Sequence, residues 1–354
     1  MFSIKSGTMM CIRIVIVTFF LSSCSSLSIE KQLYIACQSG NINTVKTLLT
    51  QEPKINWRNT EDQDKTSLHI AAENDHGDII TLLIQNGAEL ELKTSKEWSA
   101  LHLAAENNAT DAVNVLLQAG AHVDATGDRD FTPLHVAASH NAVESIKLLL
   151  QAGANLQARD TKWGDVPLHV AAEFDAAEAT TALILAGTDV HEQTTGGFLA
   201  LHIAAEYDSL KAIYALVESG ANLDVQDARF GWSAMILAAQ QNKSAAITTL
   251  IKLGADTDLT DKKGRTALIS ALLSDSLGAV NALIRSCPNV TLRDNEGQAA
   301  IDYARQKRLS EVIKDIEGCN INFESRKLLP GQVALWVMAA VLSVFIIVLS
   351  LKLN

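Results

Sequence analysis

One short sequence recurs along the middle of this chain at a nearly constant step, and this repetition constrains the fold more than any other feature. Five copies of the pattern Leu-His-X-Ala-Ala have their leucines at Leu68, Leu101, Leu134, Leu168 and Leu201. Weaker copies follow at Met235, Leu268 and Ile301, and one precedes at Leu33, so the step is 33 or 34 residues after a first step of 35. Nine repeats are therefore visible, and such a period is typical of a repeat protein built from one stacked supersecondary unit.

A glycine recurs with the same spacing after the second predicted helix of most repeats. These loop glycines, which follow runs rich in leucine and isoleucine, are Gly87, Gly120, Gly153, Gly187, Gly220 and Gly254. Each repeat predicts two short amphipathic helices, which are unstable alone and bury their apolar faces by stacking on their neighbours. The glycines predict a left-handed residue after each second helix. Glu52 and Cys287 stand at this position in the first and eighth repeats.

The segment from Thr132 to Asn155, which begins Thr-Pro-Leu-His-Val-Ala-Ala and reaches Gly-Ala-Asn, resembles the ankyrin repeat. The resemblance covers about residues 31–317. It implies an all-α ankyrin-repeat solenoid of about nine repeats, each a helix-turn-helix with a hairpin finger. The charged last repeat is typical of a terminal cap.

Histidine is the residue type whose pattern could indicate a metal or catalytic site, because five copies occupy the same repeat position: His69, His102, His135, His169 and His202. Stacked helices lie ~8–10 Å apart, whereas zinc ligands all lie ~2 Å from one ion, so these side chains are too far apart to share a metal. The resemblance implies that each ring bonds the preceding threonine and nearby backbone. No nucleophile elbow, phosphate loop, HExxH or CxxC motif occurs, so we predict a non-enzyme without cofactor or metal.

The resemblance also implies a protein partner, bound in a concave groove between the ends of the first helices and the fingers. The predicted helix-end residues are Glu73, Glu106, Glu173, Phe174, Glu206 and Tyr207. The predicted finger residues are Trp98, Phe131, Phe198 and Trp232, with Trp163 and Phe230 on two longer fingers. In a chain with 5% aromatic residues, this placement is typical of interface hot spots. The alternative is that the rings pack sideways against the next finger and stabilise the array.

Charge favours a basic partner. The chain has 29 Lys and Arg against 40 Asp and Glu, a net charge of −11. Without the five basic residues near the termini, 24 remain against the 40 acids, a net charge of −16. No long basic stretch is present to neutralise phosphates, so we expect no nucleic acid partner, and the site chemistry predicts no small-molecule substrate. We predict a groove that binds a basic, partly apolar protein segment.

The N-terminus, residues 1–23, predicts a signal peptide. Its apolar run, residues 14–21, makes only ~12 Å of helix and is too short to span a ~30 Å bilayer core. The tetrad Leu21-Ser22-Ser23-Cys24 resembles the lipobox of bacterial lipoproteins, which implies a lipid on Cys24 and a tether over residues 24–30. The alternatives are an ordinary signal peptide, a later start at Met9 or Met10, or a short buried segment.

The C-terminus predicts a transmembrane helix over residues 332–351, after a juxtamembrane linker over 318–331. The apolar stretch from Val333 to Leu351 makes ~28 Å of helix, which matches the bilayer core. Arg326 and Lys327 before the span outweigh Lys352 after it, which favours a cytoplasmic array, whereas an export signal favours the outside. We favour a single-pass protein of the cell envelope over a cytoplasmic tail-anchored one.

These features together predict a membrane-tethered scaffold for protein recognition. Two other functions stay open. One is an inhibitory or protective module that covers an envelope enzyme. The other is a host-directed effector, because ankyrin arrays with bacterial export signals resemble proteins of host-associated bacteria.

Overall fold

The computed structural model describes residues 27–327, and within this range eighteen α-helices follow one another in pairs. We number them in chain order: α1 Ile29–Gln38, α2 Ile42–Leu49, α3 Ser67–Glu73, α4 Gly77–Gln85, α5 Ala100–Glu106, α6 Thr110–Gln118, α7 Pro133–Ser139, α8 Val143–Gln151, α9 Pro167–Glu173, α10 Ala177–Leu185, α11 Ala200–Tyr207, α12 Leu210–Glu218, α13 Ala234–Gln240, α14 Ser244–Leu253, α15 Ala267–Leu273, α16 Leu277–Ile284, α17 Ala300–Gln306 and α18 Ser310–Lys327.

Both terminal predictions concern residues outside this range. The signal peptide over 1–23, the lipid site at Cys24 and the transmembrane segment over 332–351 all lie beyond the described residues. Between residues 27 and 327, no helix combines the length and the apolar character that crossing a membrane requires.

The described chain forms two compact units. Unit 1 runs to Ala171 and also includes Ala176–Asp189, and unit 2 consists of Ala172–Asp175 and the chain from Val190 onward. In unit 1, the first helices α3, α5 and α7 pack side by side, and the second helices α4, α6 and α8 form a parallel layer. In unit 2, α11, α13, α15 and α17 stack in the same way. Each unit is therefore a two-layer stack of helices.

The repeated motif explains how the first helices begin and pack. The hydroxyl of Thr66 accepts a hydrogen bond from the backbone N–H of His69, which caps the start of α3. The leucine and both alanines of the motif are buried; for example, Ala71 and Ala72 have no exposed surface. Small side chains at these positions let neighbouring first helices approach closely, so the recurring alanine pair sets the spacing of the stack.

The predicted left-handed residues after the second helices are confirmed. The six loop glycines have φ between 89° and 108°. Glu52 and Cys287, which replace glycine in the first and eighth repeats, also have positive φ values of 53° and 47°. The backbone therefore keeps its conformation at these two positions despite the Cβ penalty of the left-handed region.

A second series of left-handed residues, which the sequence analysis did not anticipate, lies between the two helices of each repeat. Its acidic and amide members are Asp75, Asn108, Asn141, Asp175, Asp208, Asn242 and Asp275, with φ of 53–65°. Six of these side chains accept a hydrogen bond of 2.7–3.0 Å from a backbone N–H in the first turn of the next second helix. Each bond satisfies an N–H that has no partner within its own helix, so the series links neighbouring repeats.

The last repeat departs from the others. Asp302 stands where earlier repeats carry histidine, and its carboxylate accepts from the backbone N–H of Ala299, as a histidine ring does elsewhere. Helix α18 buries Val312, Ile316 and Cys319 and runs on to Lys327. The predicted end of the array at residue 317 therefore falls inside a continuous helix, and the first ten residues of the predicted linker are helical.

Candidate protein-binding face

The repeat-position histidines are structural, as predicted. The His135 Nδ1 atom accepts from the backbone N–H of Thr132 at 3.1 Å and lies 2.9 Å from the Thr132 hydroxyl. The backbone N–H can only donate, so the ring proton is on Nε2, which donates to the carbonyl of Asp165 at 3.1 Å. Burial lowers the pKa of His69 and of His102 to about 4. The rings of His69 and His102 are therefore neutral at pH 7, and their Nε2 atoms link each of these first helices to the finger of the next repeat.

Hydrogen bonds within each finger fix the positions of its aromatic residues. In the seventh-repeat finger, the Asp227 carboxylate accepts from the backbone N–H groups of Phe230 and Trp232 at 2.7 and 2.6 Å. The Phe230 carbonyl accepts from Lys262 N–H of the next finger at 2.9 Å. Neighbouring fingers are thus joined through their backbones, and the rings at their bases have defined positions.

Four of the predicted finger aromatics are half-buried by stacking within the array. Trp98 stacks on the ring of His102 with centroids 6.3 Å apart, and Phe131 stacks on His135 at 5.1 Å. In unit 2, Trp232 stacks on Phe230 at 4.3 Å and lies parallel to Phe198 at 6.3 Å. The sideways-packing alternative therefore describes Phe198 and Trp232, which pack on each other from neighbouring fingers, whereas Trp98 and Phe131 pack on the histidine of the helix that follows them. All four rings are only partly exposed.

Other predicted aromatics project into solvent. Phe174 and Tyr207 are 57% and 53% exposed at the ends of α9 and α11, and Trp163 on its finger is also 57% exposed. Phe230 is 36% exposed, and the guanidinium of Arg229 lies 4.8 Å from its ring centroid. Large exposed aromatic side chains beside carboxylates are the most interface-like feature among the described residues.

The predicted glutamates differ in their surroundings. In unit 1, Glu73 forms a 2.6 Å ion pair with Lys65, which is itself only 8% exposed and lies 3.5 Å from Asp62. Glu106 lies 3.5 Å from the Nε2 atom of His140. The fixed ammonium of Lys65 neutralises Glu73, so the acidic surface in unit 1 is weaker than the sequence predicts.

In unit 2, Glu206 has a different environment. Partial burial raises the pKa of Glu206, and the nearby carboxylate of Glu173 raises that pKa further, against a smaller lowering by Lys243. Gln241 donates to Glu206 at 3.4 Å, and no lysine or arginine of the described residues lies within ion-pair distance of Glu206. We call Glu173, Phe174, Glu206 and Tyr207 the unit 2 face.

No cluster of metal-ligating side chains is found among the described residues, and the Cys37 thiol is buried. Between residues 27 and 327, no three His, Cys, Asp or Glu side chains are grouped to hold a metal ion. Cys37 is fully buried, and burial raises the pKa of its thiol to about 12. A buried thiol with so high a pKa is protonated at pH 7 and chemically inert.

Comparison with known proteins agrees with the repeat architecture. A family model described as ankyrin repeats (3 copies) matches residues 9–94, 89–160, 134–227, 168–261 and 235–325. The crystal structure of the human ASB11 ankyrin repeat domain superposes with a TM-score of 0.53 at 27% identity, over 62% of this chain and 96% of that one. Alpha-latrocrustotoxin-Lt1a from Latrodectus tredecimguttatus is 42% identical over 65 residues, which are 18% of this chain and only 4% of that protein. The family model spans most of the sequence, and its repeats coincide with the helix pairs of the structure, so this chain belongs to the ankyrin-repeat family.

Proposed function

We propose that this chain is a non-catalytic scaffold that binds a basic, partly apolar segment of another protein. Ankyrin repeats are typically non-catalytic interaction domains, which supports protein recognition as the general role. The proposal of a basic, partly apolar partner rests on the unit 2 face, where two exposed aromatic rings adjoin two glutamates.

The chemistry of this face matches a cationic segment. Carboxylates attract ammonium and guanidinium groups, and aromatic rings bind both the aliphatic stems and the cationic ends of lysine and arginine. The overall excess of acid, 40 residues against 29 basic ones, adds long-range attraction for a basic partner. An acidic or purely apolar segment would gain less from the same surface.

A peptide selection tests this proposal. The full chain, held in detergent micelles, is used to select binders from a random dodecapeptide library displayed on phage. We expect the selected peptides to contain lysine or arginine next to apolar residues. A selection that yields only acidic or uncharged peptides, or no binder, overturns the proposal.

A pair of variants then locates the binding surface. Replacing Phe174 and Tyr207 together by alanine is expected to lower the affinity for a selected peptide at least tenfold, which corresponds to about 1.4 kcal/mol of binding free energy. Tyr214→Ala is the matched control, because Tyr214 is 42% exposed in the same unit but lies on the second helix α12. Equal losses in the two variants would place the binding surface elsewhere.

The proposal includes a membrane tether, with the segment over 332–351 as a transmembrane helix and a lipid on Cys24. The nineteen-residue stretch from Val333 to Leu351, which has no ionisable side chain, and the lipobox-like tetrad that ends at Cys24 support it. We propose a cell-envelope location, with a cytoplasmic tail-anchored protein as the alternative. Cysteine labelling from each side of the membrane, combined with lipid labelling of Cys24, tests both; an array that labels only from the cytoplasm and a Cys24 without lipid would leave the tail-anchored form.

A further inference from the structure

Three exposed cations lie on two neighbouring finger tips of unit 2. They are Arg229 on the seventh-repeat finger and Lys262 and Lys263 on the eighth-repeat finger. Among residues 27–327, none of the three forms an ion pair with a carboxylate. The chain carries 40 acidic residues against 29 basic ones, so this group of cations is a local exception to its overall charge. Exposed charges without an internal counter-charge remain available to attract an anion from outside the chain.

The guanidinium of Arg229 has a defined position at its tip. Its central carbon lies 4.8 Å from the ring centroid of Phe230, which in turn stacks on Trp232 with centroids 4.3 Å apart. The ring orders the guanidinium through a cation–π contact. No N–H group of this guanidinium donates to an oxygen of the described residues. These groups form a fixed fork that matches the two oxygens of a carboxylate.

Lys262 brings a second cationic group to the same tip. Its ammonium donates to the backbone carbonyl of Ala228, the residue before Arg229. Its backbone N–H donates to the Phe230 carbonyl at 2.9 Å, and a Cβ placed on Gly231 would lie 3.0 Å from its backbone nitrogen. The two fingers are therefore in close contact, and the ammonium is positioned before a partner arrives. A surface that is ordered in advance loses little conformational entropy on binding.

The carboxylates of the same two fingers are engaged within the fold. Asp227 is buried and accepts from three backbone N–H groups of its own finger at 2.6–2.8 Å. Asp261 is buried and forms a 2.6 Å ion pair with Arg265. Three further carboxylates accept from backbone N–H groups at the other end of these fingers: Asp224, Asp256 and Asp258. The outer surface of the two tips therefore presents positive charge.

A similar tip in unit 1 is electrically balanced. On the fourth-repeat finger, the Arg129 guanidinium lies 4.6 Å from the ring centroid of Phe131, which is close to the distance at the Arg229 tip. Two exposed acids, Asp128 and Asp130, flank Arg129 in the sequence, and the Asp128 carboxylate lies 3.9 Å from the guanidinium. The same cation–aromatic contact is thus neutralised in unit 1 and keeps its positive charge at Arg229.

We propose that Arg229, Lys262 and Lys263, which we call the unit 2 fingertip, bind an acidic segment of another protein. One carboxylate of the segment pairs with the Arg229 guanidinium, and a second lies against the ammonium groups of Lys262 and Lys263. The inference goes beyond the proposed function, because it concerns a different surface and a partner of opposite charge.

A short acidic segment fits this surface better than a phosphate polymer does. At physiological ionic strength, charges are screened beyond about 8 Å, so the net negative charge of the chain has little effect on a segment at the tips. A nucleic acid carries a continuous row of phosphates and would extend past the tips, where Glu296 is exposed on the ninth-repeat finger. Three cations also release few counterions, which limits the affinity for a nucleic acid. The surface therefore favours the carboxylates of a protein segment.

A peptide selection followed by binding measurements tests the assignment on the full chain in non-ionic detergent micelles. The library is displayed on phage and consists of dodecapeptides with Asp or Glu fixed at every second position. The tightest binder is synthesised with a fluorophore, and its affinity is measured by fluorescence anisotropy. Arg229→Ala and Lys263→Ala are each expected to lower this affinity at least threefold, and the double variant at least tenfold.

Arg129→Ala is the matched control, because Arg129 is an exposed fingertip cation over an aromatic ring in unit 1. We expect it to keep the affinity for the peptide within twofold of wild type. The side chains of Arg229 and Lys263 are exposed and make no hydrogen bond within the described residues, so the double variant is expected to keep the wild-type urea midpoint. An unchanged midpoint shows that lost binding does not come from misfolding.

The outcomes are distinct. If the library yields no binder, or if Arg129→Ala is as harmful as the double variant, the inference is wrong. It is also wrong if a labelled oligothymidylate binds more tightly than the peptide and loses affinity in the double variant, since the surface would then take phosphates. These results leave the proposed function standing, because that function is tested with basic peptides and with the variant of Phe174 and Tyr207.

Discussion

Asp208 offers a direct test of how neighbouring repeats are joined. It lies between α11 and α12 with φ of 65° and ψ of 30°. Its Oδ1 atom accepts from the backbone N–H of Ala246 at 2.7 Å, in the first turn of α14. One side chain therefore does two things: it tolerates a left-handed backbone, and it satisfies an orphan N–H at a helix start in the next repeat.

The two contributions can be separated by three substitutions. Loss of an acceptor at a helix N-terminus costs about 1 kcal/mol, and a left-handed backbone costs alanine about 1 kcal/mol more than glycine. Asp208→Ala is therefore expected to lower the free energy of unfolding by about 2 kcal/mol, and Asp208→Gly by about 1 kcal/mol. Asp208→Asn is expected to stay within about 0.5 kcal/mol of wild type, since Asn242 makes the same bond to Ala279 N–H at 2.9 Å.

Urea unfolding of the full chain, followed by the helical circular dichroism signal, measures these differences. Asp315→Ala is the control, because Asp315 is exposed on α18, and its removal is expected to change stability by less than about 0.5 kcal/mol. The expected order of stability is wild type, then asparagine, glycine and alanine. If asparagine is as harmful as alanine, or if glycine is neutral, the side-chain bond between repeats contributes nothing and the reasoning is refuted.

Three further predictions follow from the same structure. Cys287→Gly should raise the free energy of unfolding by about 0.5–1 kcal/mol, measured by thermal denaturation, since a φ of 47° strains any residue with a Cβ. The pKa values of His69 and His102 are lowered to about 4 by burial, so the unfolded chain binds more protons below pH ~6.5. Stability should fall as pH drops from about 6.5 towards 4, by about 2 kcal/mol per histidine between pH 7 and 5, and an unchanged urea midpoint would contradict this. Phe131→Ala should lower stability by about 2 kcal/mol, because the ring stacks on a buried histidine, whereas Phe174→Ala should change it by less than about 0.5 kcal/mol.

The sequence was sufficient to predict the fold because each motif residue has one local role. The loop glycines mark left-handed backbone, and the histidines mark a cap at the start of the five first helices that carry them. The stacking of Trp98 on His102 and of Phe131 on His135 also had a local signal, because the ring lies four residues before the histidine in both repeats. That spacing indicates contact between the finger base and the helix that follows it.

Other contacts join residues of different parts of the array, and the sequence alone does not show which residues meet. The acidic and amide residues of the second left-handed series recur at the repeat step, but the N–H that Asp208 binds lies 38 residues away. The ion pair between Lys65 and Glu73 joins a finger to the end of a helix eight residues later. Glutamates that look equivalent in the sequence, such as Glu73 and Glu206, therefore have different partners in the folded chain.

This difference indicates where function should be sought in a chain of near-identical repeats. Residues that keep the repeat pattern are accounted for by packing and capping, as the alanine pair and the histidines are. Tryptophan is unusual at a surface position such as Trp98, but its ring stacks on His102 within the array. This contact stabilises the fold and accounts for the residue. Phe174 and Tyr207 replace residues that cap their helices in unit 1 and remain more than half exposed. Large rings that stay more than half exposed at the ends of first helices are typical of protein interfaces, so these two positions are the first to test for partner binding.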